Sequence, residues 1–182
     1  LLFRDQPLTD RQFADFSAQL GPLRVHIQAA FRHPEIPEIV FNRNVDADGK
    51  FDDVGASRGV TRDLKYGWHS DTSYEVDPAV ATSVHALEVP SSGGNTCFAN
   101  GYRAYDILND NFKTRLDGLM GEFALGRNRK NSQTQTLTGK LPQEARDRAT
   151  VFHPIICRHP VTRRPAIYAN PLQTTRVLDV SE

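Results

Sequence analysis

Tyr66-Gly67-Trp68-His69-Ser70-Asp71-Thr72-Ser73-Tyr74 is the stretch on which the reading of this chain turns. In an extended backbone, residues two apart project to the same side, so the His69 imidazole and the Asp71 carboxylate face one way and Ser70 the other. One imidazole and one carboxylate are two of the three ligands of a 2-His-1-carboxylate facial triad, which leaves half an octahedron open for exchangeable ligands. Trp68 is excluded as a ligand because its indole nitrogen only donates; beside His69 it packs and helps fix the ring. A bare His-x-Asp triplet recurs by chance and equally suits an exposed turn without a metal, so its weight comes from its surroundings.

Downstream, Ala79 to Val89 alternates apolar and small polar residues like a strand, and Thr96 to Ala99 continues the sheet after the Gly93-Gly94 turn. Tyr102 to Leu108 reads as a short helix, and Asn109 to Leu119 as a second, amphipathic one with Phe112, Leu116 and Leu119 on one face. Val151 to Cys157 and Ala166 to Ala169 read as strands joined by the basic turn Pro160 to Arg164. Upstream, Leu1 to Phe3 reads as a strand and Glu38 to Asn42 as another. Thr9-Asp10-Arg11-Gln12 has capping-box form ahead of the apolar stripe Phe13, Phe16 and Leu20, and Gly21-Pro22 ends that helix. Val45 to Asp63 is a long Asp-, Gly- and Arg-rich loop that suits a lid, and Arg127 to Leu141 is polar and expected to be mobile. Many short strands with few helices and a His-x-Asp pair suit a mainly β fold with helices packed outside, a double-stranded β-helix or cupin-like jelly roll. No repeat or second domain is visible, so residues 1–182 read as one domain. A strand without a lead-in at Leu1 and the N-cap residue Ser181 without its helix make it read as a fragment, incomplete at both ends.

Trp68-His69-Ser70-Asp71, then Pro90-Ser91-Ser92-Gly93-Gly94-Asn95-Thr96, then Ala104-Tyr105 resembles the taurine/2,4-D dioxygenase (TauD/TfdA) family of Fe(II)- and 2-oxoglutarate-dependent oxygenases. Phe3 to Thr9, His153-Pro154, His159-Pro160 and Thr174-Thr175-Arg176 resemble further family segments, in the family's order, so the likeness runs nearly end to end. The resemblance implies the jelly-roll fold, Fe(II) held by His69 and Asp71, and 2-oxoglutarate and dioxygen as co-substrates. It implies oxidative decarboxylation of 2-oxoglutarate to succinate and carbon dioxide, coupled to hydroxylation of a small anionic organic substrate, with C–S or C–O cleavage where the hydroxylated carbon bears a leaving group. Thr96, 27 residues after His69, matches the threonine whose hydroxyl binds the distal carboxylate of 2-oxoglutarate. The third metal ligand and the arginine that pairs with 2-oxoglutarate are expected outside this chain. His153 and His159 are therefore not taken as ligands; each sits in a His-Pro pair that suits a structural role.

For the substrate side, His26 stands where taurine-cleaving relatives place a histidine, and Lys65 and Tyr66 precede the metal triplet. Gln173 occupies a position at which those relatives carry phenylalanine, which makes that wall more polar and argues against taurine itself. His33 and His85 read as structural. Two other readings stay open: a metal-dependent hydrolase built on His69, Asp71 and a late histidine, and a non-catalytic β-helix module that binds a small acid. Retention of 2-oxoglutarate with Fe(II) would argue against the first, and turnover would argue against the second.

Composition narrows the partners. With 22 basic and 22 acidic side chains among 182 residues, and basic residues dispersed apart from Arg127-Asn128-Arg129-Lys130, nothing marks a nucleic-acid or membrane-surface partner. No apolar run approaches a membrane span. Cys97 and Cys157 are too few and too far apart for a thiolate zinc site or a disulfide framework, and both are expected to be buried, reduced thiols; no signal peptide is visible, from which the cytoplasm is expected. Self-association as a homo-oligomer is left open, favoured by any exposed apolar sheet face.

Overall fold

The computed structural model describes residues 1–26, 29–43, 45, 48–51, 67–125 and 150–178. They belong to two compact units, Leu1–Val60 with Ala81–Gly94, and Thr61–Val80 with Asn95–Glu182.

In the first unit, helix α1 (Asp10–Ala18) starts as its sequence dictates. Thr9 caps the Gln12 amide at 3.2 Å, and the Gln12 side chain accepts from the Thr9 amide at 2.9 Å, a complete capping box. Gly21, at φ 144°, follows the helix end. His85 packs on Phe13 at 5.4 Å between ring centroids and lies 3.2 Å from the Gln6 carbonyl. The strands expected at Leu1 to Phe3 and Ala79 to Val89 do not form, and Glu38 to Asn42 contributes only an isolated bridge between Arg32 and Val40. Alternation supplies a potential face, but a strand also needs a neighbour to take its backbone hydrogen bonds. The expected lid, Val45 to Asp63, and the polar segment Arg127 to Leu141 lie largely or wholly outside the described residues.

The second unit carries a three-stranded antiparallel sheet, β1 (Met120–Ala124), β2 (Thr150–Pro154) and β5 (Thr174–Val177), in the order β2-β1-β5. A two-stranded sheet pairs β3 (Ile156–Arg158) with β4 (Pro165–Ile167), around the basic turn expected there. In that turn the His159 Nδ1 accepts from the amides of Val161 and Thr162, each at 3.2 Å, and Arg163 takes φ 60°. Helices α2 (Gly101–Asp106) and α3 (Asp110–Leu116) are capped by Asn100 and Asn109, whose side chains accept from the first-turn amides.

Strand β1 is the centre of this unit and was not anticipated. Phe123 is fully buried, with Ala124, Val151 and Ile155 buried too. The Phe123 ring meets His153 edge-on and Tyr168 at a tilt, each at 5.4 Å between centroids. Gly121 is needed on packing grounds, since a Cβ there would stand 2.7 Å from Ile155 Cδ1 and 3.0 Å from the Phe123 ring. Glu122 ties β1 to β5: Thr175 Oγ1 donates to its Oε1 at 2.6 Å, and Arg176 Nε to its Oε2 at 2.9 Å. Cys157 is half-buried, but Cys97 is exposed, contrary to expectation, because the Thr96 to Ala99 segment forms no strand and so acquires no sheet to cover it. Among the described residues no helix is long and apolar enough to cross a membrane.

Candidate metal centre

The triplet leads into a turn rather than lying in the extended segment expected of it. Residues 67–70 are irregular and Asp71 to Tyr74 form a turn, closed by hydrogen bonds from the Ser73 amide to the Ser70 carbonyl at 3.2 Å and from the Glu75 amide to the Thr72 carbonyl at 2.8 Å. The two candidate ligands nonetheless meet: His69 Nε2 stands 3.1 Å from Asp71 Oδ1, with both side chains part-exposed at 40% and 47%. His69 Nδ1 lies 2.8 Å from the Gly67 carbonyl. A carbonyl only accepts, so Nδ1 carries a proton and donates, which leaves Nε2 as the ring nitrogen that faces the carboxylate.

An imidazole nitrogen and a carboxylate oxygen facing one another at 3.1 Å are bridged by a cation or by a proton between them. The spacing suits a cation: ligands at about 2.1 Å from a metal in adjacent octahedral positions are about 3 Å apart. One imidazole nitrogen and one carboxylate oxygen form a donor set fit for Fe(II), and the Gly67 carbonyl is the kind of outer partner that fixes tautomer and ring plane. Among the described residues no group of three or more His, Cys, Asp or Glu is placed to hold a metal.

Thr72 takes φ 54°, the left-handed region, where a β-branched residue is a genuine outlier. Such a conformation costs about 1–3 kcal/mol and persists only where the surroundings over-determine it. Its hydroxyl accepts from the Ala79 amide at 2.6 Å. Next to it Ser73 and Tyr74 are buried. Burial, with smaller contributions from the Glu75 and Asp71 charges, pushes the Tyr74 phenol up to about 12 from its usual 10, so it stays neutral near His69 and Asp71. His153, in the aromatic cluster around Phe123, places Nε2 2.8 Å from the Glu75 carbonyl and so donates to the end of this turn.

The remaining sequence-derived residues are dispersed. Thr96 is exposed on irregular backbone after Gly93 and Gly94, which take φ 79° and 67°. Gln173 is buried, its side-chain carbonyl accepting from the Ser73 hydroxyl. His26 belongs to the first unit, is half-buried, and its carbonyl accepts from Arg32 Nε at 2.6 Å. Lys65 and Tyr66 lie outside the described residues. Sequence reasoning missed Asn170, buried and bonded to Ser73. An Asn-Pro dipeptide signals a turn there, but nothing local signals a partner 97 positions away.

Comparison with known proteins places the chain in a lineage. Residues 1–182 match the family described as "Taurine catabolism dioxygenase TauD, TfdA family", and the chain belongs to that family. It is 29% identical over 186 residues to the alpha-ketoglutarate-dependent dioxygenase cnsP of Penicillium expansum, covering 98% of this chain and 47% of that protein. It is 34% identical over 128 residues to the alpha-ketoglutarate-dependent 2,4-dichlorophenoxyacetate dioxygenase of a Burkholderia species, covering 67% of this chain and 42% of that one. Its fold is like that of AAD-2 crystallised with Mn(II) and N-oxalylglycine, with a TM-score of 0.69 at 24% identity over 98% of this chain and 60% of that one. The chain spans about half the length of the curated relatives it matches.

Proposed function

We propose that this chain carries part of the active site of an Fe(II)- and 2-oxoglutarate-dependent dioxygenase that hydroxylates a small anionic organic substrate, in a single domain built on a double-stranded β-helix. The observation that carries the proposal is the 3.1 Å approach of His69 Nε2 to Asp71 Oδ1, on a chain whose whole length matches the family. His69 and Asp71 would hold Fe(II). Bound iron, with 2-oxoglutarate and dioxygen, supplies the oxidising power for C–H hydroxylation while 2-oxoglutarate becomes succinate and carbon dioxide.

The chain's own residues bind, orient and shield. Gly67 keeps the His69 proton on Nδ1 so that Nε2 is the coordinating atom. Tyr74, neutral and buried, places no second negative charge beside the Asp71 carboxylate. Thr96 is assigned the distal carboxylate of 2-oxoglutarate, to which its exposed hydroxyl can donate. His26, Lys65 and Tyr66 are assigned to the substrate's anionic group, and Gln173 to the more polar wall. A small anion as substrate is supported by relatives whose names specify 2,4-dichlorophenoxyacetate and sulfonate. Free thiols at Cys97 and Cys157 suit a reducing compartment such as the cytoplasm.

The test is succinate formation with Fe(II), ascorbate, oxygen and 2-oxoglutarate across a panel of small carboxylates, sulfonates and sulfate esters. Succinate that rises with one panel member is the expected result. Asp71→Ala and His69→Ala should lose both Fe(II) binding and activity, whereas His153→Ala should retain Fe(II), because that imidazole bonds the Glu75 carbonyl and packs on Phe123. A protein that holds Fe(II) yet makes no succinate under any condition overturns the enzyme reading in favour of a small-acid-binding module.

A further inference from the structure

We propose that Ser73, Asn170 and Gln173 form a buried polar clamp that aims the Asp71 carboxylate, which makes Asn170 and Gln173 positioning residues for the metal pair. The inference rests on the dioxygenase reading above and assigns residues that do not touch the metal. The three side chains are the buried polar ones among the described residues. The Ser73 hydroxyl donates to the Gln173 side-chain carbonyl and accepts from Asn170 Nδ2 at 3.3 Å, across 100 and 97 positions of sequence. A hydroxyl with its donor and an acceptor site both engaged has a fixed orientation, and so does the backbone that bears it.

The far side of the clamp is rigid. Asn170 Oδ1 accepts from the Gln173 amide at 2.8 Å, the Asn170 amide donates to Thr174 Oγ1 at 2.9 Å, and the Thr174 amide returns to the Asn170 carbonyl at 3.1 Å. The Gln173 carbonyl then accepts from the Ala124 amide at 2.9 Å, which ties this turn to the end of β1. Ser73 is therefore anchored to the central sheet of its unit, and only Thr72 separates it from Asp71.

Thr72 is where the clamp acts. At φ 54° a threonine left to itself would relax toward ordinary backbone angles, and relaxation there would swing Asp71 away from His69. Ser73, held from behind, prevents that rotation. A purely stabilising role would not require three buried polar groups, since apolar residues of the same shape replace such hydrogen-bonded partners at nearly neutral cost.

The experiment is anaerobic titration of the protein with Fe(II), with near-ultraviolet circular dichroism to establish that each variant is folded. Ser73→Ala should weaken Fe(II) binding about tenfold or more, the scale seen for outer partners of metal ligands. Gln173→Met, which keeps the volume and removes the acceptor, should do the same and carries the test if Ser73→Ala fails to fold. Adding Thr72→Asn, which tolerates left-handed angles and keeps a side-chain oxygen for the Ala79 amide, should restore part of the affinity lost in Ser73→Ala, a rescue that general loosening of the core would not show. Wild-type Fe(II) affinity in folded Ser73→Ala and Gln173→Met, or a loss that Thr72→Asn leaves untouched, overturns the clamp while the dioxygenase reading stands. Undiminished Fe(II) binding by Asp71→Ala overturns both.

Discussion

Two stretches of this chain looked alike in sequence and differ in structure. The turn that carries His69 and Asp71, residues 69–75, and the alternating segment Ala79 to Val89 both read as extended backbone. In the turn, Ser73 and Tyr74 are buried and four side chains and amides from its own unit hold it: Gln173, Asn170, His153 and the amide of Ala79. Along the second stretch, Val80 is 98% exposed, Val84 86% and Val89 73%. Alternation is thus a statement about which side chains share a face, and says nothing about whether a surface exists to cover that face. The turn has such a surface because β1 and the Asn170 to Thr174 turn provide one.

That contrast breaks most readily at Phe123, the fully buried ring at the centre of β1. Phe123→Ala removes the partner of both His153 and Tyr168 and should destabilise by about 3–5 kcal/mol. Chemical denaturation measures it. A cost below about 1 kcal/mol would mean that the second unit does not derive its stability from this core, and that the ligand turn is held by something else.

A smaller effect is expected from alkaline pH. The phenols of Tyr74 and Tyr168 are pushed up to about 12, chiefly by burial, from a usual value of 10. In the unfolded chain both ionise near 10, so their contribution to stability is fully present below pH 10 and is lost as pH rises from 10 through 12. The denaturant midpoint should fall across that window, and tyrosinate absorbance attributable to Tyr74 should vanish from the upper part of the titration in Tyr74→Phe. An unchanged titration in that variant would show that Tyr74 is not enclosed as described.

Legibility in the sequence follows the range of the interactions. The capping box at Thr9 and Gln12 is contained within four residues and is readable, as is the pairing around the basic turn, although the single strand expected at Val151 to Cys157 divides into β2 and β3. Strand β1 is not, since Met120-Gly121-Glu122-Phe123-Ala124 has a glycine and a charge and continues a helical stripe; only pairing with β2 and β5, from 26 (Ala124 to Thr150) to 56 (Gly121 to Val177) positions away, makes it a strand. For the site, the meeting of His69 with Asp71 was written in a three-residue spacing, although the backbone that achieves it is a turn with Thr72 left-handed. The Ser73, Asn170 and Gln173 network was invisible for the same reason as β1: its hydrogen bonds span about a hundred residues.

The smallest expected effect is the sharpest probe of the comparison. Val84→Thr swaps a methyl for a hydroxyl of nearly the same shape at a side chain 86% exposed, so no apolar contact is lost and no hydroxyl is buried. The change should shift stability by less than about 0.5 kcal/mol. At a covered position the same swap would bury a hydroxyl without a partner, at about 1–3 kcal/mol. A thermal melt that resolves a loss of that larger size would show that the alternating face of Ala79 to Val89 is covered in solution, by a second copy of this chain or by further polypeptide, and a concentration series would separate the two, because only the first depends on protein concentration.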